Sequence, residues 1–137
     1  MDRRRSLDIH LRSGWRRGPA AAARGPLLIS YTEFTPHTLR DVPHIYLAAE
    51  RLRRACRELD GAVGVAIYWQ PFHRRGGSLS AWEDEAALRR FVSLPYHLEI
   101  MRRYRSRGSL RTTTWKALGD GFRPSAALRQ GQVTLDA

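Results

Sequence analysis

His97 follows Pro95 and Tyr96 at a point where a helical pattern has just been interrupted, and fifteen residues earlier Trp82 ends the strand-like run Leu79-Ser80-Ala81-Trp82. Imidazole changes charge close to neutral pH, so His97 is the candidate catalytic group, suited to moving a proton or ligating iron. Tyr96, beside it, is a candidate binding residue. If the second and third strands pair in simple alternation, Trp82, Ser80 and Tyr68 face the same side as Ala62, Gly64 and Ala66. That makes an aromatic-walled space over a floor of small residues, suited to a flat aromatic or polyketide-like ligand. The competing reading is an aromatic core packed beneath helices, with His97 a residue of a helix start.

Other chemistries find little support. Cys56 is the only cysteine. It excludes an internal disulfide and any zinc site built on paired cysteines, and it reads as a buried thiol on a helix. His37, His44 and His73 have no spacing typical of metal ligands and no convincing carboxylate among them, so no metal site is expected. The chain carries no GxSxG, phosphate-binding loop or GxGxxG.

The positions of these residues depend on the elements around them. Leu27 to Phe34 alternates as a first strand. Asp41-Val42-Pro43 opens a helix whose apolar positions Ile45, Ala48, Leu52, Cys56 and Leu59 recur at three- and four-residue spacing until Asp60-Gly61 stops it. Ala62 to Trp69 reads as a second strand, Gln70 to Gly77 as a polar hairpin loop and Ser78 to Glu83 as a third strand. Simple alternation puts Trp69 on the opposite face from Tyr68. Glu83-Asp84-Glu85 places carboxylates where the positive end of a helix dipole favours them. The helix they open ends before Pro95, a second helical piece runs to about Arg105, and Leu110 to Ala117 is the last strand.

The predicted order is βαββαβ: an α+β, ferredoxin-like domain over residues 27–117, with an antiparallel four-stranded sheet and helices on one face. Residues 1–26, rich in Arg, Gly and Ala without a sustained apolar period, predict a disordered basic arm. Residues 118–137 predict a tail with one helical turn around Ser125 to Arg129. The opposite sheet face carries too much apolar surface to stand in water, which predicts a face-to-face homodimer.

Bulk properties limit the partners. The 137 residues carry a net charge of +11, and seven Arg against two Asp lie in the first 25 residues. A basic surface attracts polyanions, and an RNA-recognition motif shares the βαββαβ order. Its third strand should read basic-Gly-aromatic-Gly-aromatic, whereas this one reads GSLSAWED, which argues against nucleic acid. No apolar run reaches the ~20 residues of a membrane span. The arginines and Ala20 to Ala23 enclose no signal-peptide apolar region, so a cytoplasmic, non-membrane protein is expected.

The segment SLSAWEDEAALRRFVSLPYHLEIMRRYR resembles the dimeric α/β-barrel superfamily, in which the third strand ends in tryptophan and leads through an acidic helix start into a His-bearing helix. Antibiotic-biosynthesis monooxygenases share this layout. The Ser80-x-Trp82 ending, Phe91 and the position of His97 are closer still to an uncharacterised family related to spheroidene monooxygenase. The resemblance implies a dimeric α/β barrel with monooxygenase-like or cyclase-like action on an aromatic or unsaturated apolar metabolite. His97 would be catalytic, with Trp82, Tyr68, Ser80, Phe91 and Tyr96 binding substrate, and no cofactor would be needed. Two alternatives are a haem protein with His97 as axial ligand and a ligand-binding dimer without catalysis. In the haem-degrading branch a tryptophan stands where this chain has Phe91, and the iron ligand falls near Met101, so neither position matches.

Overall fold

The computed structural model of the chain describes residues 11–12 and 14–137, with side chains from residue 14 onward. Its strands are β1 (Leu11–Arg12), β2 (Arg16–Arg17), β3 (Pro26–Pro36), β4 (Ala62–Gln70), β5 (Arg75–Trp82) and β6 (Gly108–Leu118). Helix α1 (Val42–Ala55) joins β3 to β4, α2 (Glu85–Val92) and α3 (Pro95–Tyr104) join β5 to β6, and α4 (Pro124–Asp136) closes the chain. No helix among the described residues is long and apolar enough to cross a membrane.

The four long strands and α1 to α3 give the expected ferredoxin-like order. All pairings are antiparallel. The sheet is wider than expected: its hydrogen-bonded path is β1-β4-β5-β3-β6, and β2 also pairs with β4. Local chemistry explains the helix boundaries. The Ala87 N–H donates to the Asp84 carboxylate at 2.8 Å and so caps α2. Pro95 has no N–H to continue α2 and instead opens α3, where a first-turn proline costs no hydrogen bond. Gly61, at φ +78°, makes the turn into β4 in a conformation that favours glycine.

Two expectations about the ends are corrected. Residues 1–10 and 13 lie outside the described residues, but the rest of the proposed arm is bound to the sheet. Arg16 and Arg17 stand opposite Val65 and Gly64 on β4. Trp15 packs directly on Gly64, where there is no room for a Cβ, and its ring centroid is 5.7 Å from that of Phe122. An unpaired β4 edge needs hydrogen-bond partners, and this segment supplies them. The tail is likewise a helix of 13 residues, α4, rather than one turn.

A further correction concerns the faces of β4. Its pairing with β5 shifts register between Ala62 and Gly64. One extra residue in a strand reverses the alternation beyond it. Ala62, Val65 and Trp82 therefore share a core with Leu52, Ala87 and Phe91 beneath α1 and α2, and the partly buried Ile100 of α3 packs against it. Tyr68 belongs to the core of the other face, with Leu27, Ile29, Tyr31 and Leu79.

That second core is closed by α4, through Ala127 and Leu128, and by Trp15 and Phe122. Gly131 lets α4 lie directly on the Tyr31 ring. Arg111 bonds the Leu135 carbonyl at 2.9 Å and the Asp136 carboxylate at 2.9 Å, and its Nε bonds the buried Glu33 at 3.1 Å. Leu27, Ile29, Tyr31 and Leu79 are at most 2% exposed in the single chain. The reason for expecting face-to-face pairing, a bare apolar sheet, is absent here.

Candidate functional site

Between α1, α3 and the sheet lies a cavity of about 160 Å³. Its floor is the helix-side face of the sheet. Thr32 and Ser78 stand opposite each other in the β3–β5 register, with Ile67 and Trp69 of β4 to one side and Phe34 and Leu110 near the other. Helix α1 contributes Ile45, Tyr46, Ala49 and Leu52, which recur at helical spacing and so share a face. From the α2–α3 side come Phe91, His97, Ile100, Met101, Tyr104 and Arg105. The break before Pro95 turns α3 so that His97 and Met101, four residues apart, both reach the cavity.

His97 is half-buried, and its ring meets Phe91 edge-on with centroids 5.2 Å apart. Burial holds its pKa below the usual 6.5, opposed by a hydrogen bond to the Val92 backbone. Nδ1 has no protein partner and is shielded from solvent. The imidazole is therefore neutral near pH 7, with Nδ1 unpaired. An unpaired buried ring nitrogen costs about 1–3 kcal/mol. A small ring movement would let it reach a ligand in the cavity and recover that cost.

The expected binding residues separate. Phe91 lines the cavity beside His97. Trp82 lies one layer deeper: it is fully buried, with its ring 4.8 Å from Phe91 and its indole N–H donating to Ser80 Oγ at 2.8 Å. Trp82 and Ser80 therefore support the wall and do not form it. Tyr68 borders the cavity, but its hydroxyl is on the other face, donating to Tyr31 at 2.6 Å. Burial there raises the Tyr31 phenol to about 12 and moves the Tyr68 phenol upward as well, so both stay protonated. Tyr96 is 62% exposed and lies in an outer groove with Arg51, Glu99 and Arg103.

Tyr46, Trp69, Met101, Tyr104 and Arg105 also line the cavity and were not among the expected site residues. Tyr46 lies one residue from Ile45, and Met101 and Tyr104 have the right helical spacing, so their shared face with His97 is a usable signal. Trp69 carries no such signal, because the β4 register shift that turns it to this face depends on pairing with β5.

A cavity of about 160 Å³ resembles one that admits a benzene-sized ligand and is smaller than most cofactor pockets, roughly 300 Å³ or more. Among the described residues no cluster of His, Cys, Asp and Glu could hold a metal ion.

No protein-family model matches the sequence, and no curated protein matches it significantly. Solved structures do match its fold. SnoaB from Streptomyces nogalater, a cofactor-independent oxygenase solved as a point mutant, aligns with a TM-score of 0.56 at 16% identity, over 66% of this chain and 92% of its own. A protein from Deinococcus radiodurans, provisionally assigned as an antibiotic biosynthesis monooxygenase, aligns at 0.59 and 15% identity, over 66% and 91%. Rv0793 from Mycobacterium tuberculosis aligns at 0.59 and 14% identity, over 69% and 96%. The chain therefore has the ferredoxin-like fold of the antibiotic-biosynthesis-monooxygenase-like proteins. At these identities the likeness is one of fold.

Proposed function

We propose that this chain is a monooxygenase-like protein that binds an aromatic or unsaturated apolar metabolite in the cavity between α1, α3 and the sheet. The observation that carries the reading is an apolar cavity with a neutral imidazole in its wall. One ring of a ligand fits inside, and the remainder projects past Leu110 over the exposed β6. The neighbouring folds, among them an oxygenase described as cofactor-independent, support this class of chemistry.

In such chemistry the substrate supplies the electrons. A base removes a proton from an activated methylene, the carbanion transfers electrons to dioxygen, and a C–O bond forms. Cleavage of the O–O bond with loss of water leaves a ketone, so methylene plus dioxygen gives carbonyl plus water. The protein's part is to orient the ring, exclude water and move the proton. His97 is the base, and Phe91, held by Trp82, keeps its ring against the wall.

Dioxygen uptake with a panel of polycyclic phenols that carry an activated ring methylene tests the reading. Uptake above the buffer rate, reduced at least tenfold in His97→Ala with ligand binding retained, is the expected result. Binding without uptake for any member of the panel would replace the oxygenase by a ligand-binding protein.

A further inference from the structure

The geometry points to Arg105 as the residue that selects ligands, favouring an apolar ring or chain that ends in an anionic group such as a carboxylate. This rests on the reading of the cavity as a ligand site. Arg105 lines the cavity yet is exposed, so it stands at the opening. It is the one charged residue among the described residues lining the cavity, and no Asp or Glu lies there to neutralise it.

Its neighbours have other work. Arg107 pairs with Asp41 at 3.0 Å, and the Arg103 guanidinium lies 5.7 Å from the Tyr104 ring centroid. Arg102 and Arg103 already occupy the last turn of α3, where a helix dipole favours cations. Arg105 comes one residue after the helix ends, and its side chain makes no hydrogen bond or ion pair with the described residues. A guanidinium can hold a carboxylate through two parallel N–H donors. At the rim of an apolar cavity it would do so with the ligand body buried and the charged end in water.

The test compares 4-butylbenzoate with 4-butylbenzamide, a neutral ligand of nearly the same shape, by titration calorimetry on the full chain. Wild type should bind the acid more tightly by about fivefold, the scale of a solvent-facing ion pair. Arg105→Gln should remove that preference and leave amide affinity unchanged, and Arg105→Lys should restore part of it. Arg102→Gln, an equal charge loss at the same helix end but outside the cavity, should change neither ligand. An acid preference that persists in Arg105→Gln, or disappears equally in Arg102→Gln, overturns the role of Arg105. Ala49→Leu and Ser78→Leu fill opposite walls and should weaken both ligands. If neither ligand binds wild type, or if filling has no effect, the cavity reading itself fails and this inference falls with it.

Discussion

His97 and Phe91 meet edge to face, 5.2 Å between centroids, and the Phe91 ring also lies 4.8 Å from that of the buried Trp82. Phe91 thus links the core beneath α2 to the imidazole at the cavity. Phe91→Ala should cost about 3–5 kcal/mol in urea unfolding, as truncation of a buried aromatic does. It should also admit water to His97, raising its pKa towards 6.5 in an NMR titration. Loss of stability with an unmoved His97 titration would mean that Phe91 packs the core without controlling the imidazole.

The lowered pKa of His97 has a stability consequence. Below the unfolded value near 6.5 the unfolded chain binds a proton that the folded chain resists, so stability falls with pH from about 6.5 down to the folded pKa. His97→Gln should flatten that part of the curve. The depressed carboxylates Glu50 and Asp136, paired with arginines, lose their contribution only in the acid range below their ordinary values. A wild-type slope that survives in His97→Gln would assign it to another group.

Cys56 is fully buried, and burial raises its thiol pKa to about 11. A maleimide should therefore leave the native chain largely unmodified for hours and react within minutes in 6–8 M urea, where the thiol is exposed and has an ordinary pKa. Rapid labelling of the native chain would show that the end of α1 opens readily.

Gly131 fits α4 onto Tyr31 where a side chain cannot. Gly131→Val should displace α4 or strain it, costing about 1–3 kcal/mol, and expose Tyr31 and Leu27. With that face covered, wild type should sediment near 15.7 kDa, and the variant should self-associate as concentration rises. A wild-type mass twice as large would mean that two copies pair through another surface or move α4 aside.

Haemin added to purified protein should give no Soret band that depends on His97, because the cavity beside it, about 160 Å³, is smaller than most cofactor pockets, roughly 300 Å³ or more. A shifted band abolished by His97→Ala would reverse that conclusion.

The sequence by itself determined the order of the ferredoxin-like elements, because their signals are local. Asp84 caps α2, Pro95 separates α2 from α3, and Gly61 turns the chain into β4 within a few residues of where each acts. It also singled out His97 and Phe91, which share the α2–α3 segment. Tertiary structure alone decided which face each β4 residue occupies. The shift between Ala62 and Gly64 exists only through pairing with β5, and it moved Tyr68 away from the ligand side and brought Trp69 to it. It also decided the fate of the two ends. Weak periodicity in residues 14–25 and 124–136 concealed segments that are ordered by what they cover, the β4 edge and the Tyr31 face, and no local pattern encodes a surface formed by distant strands.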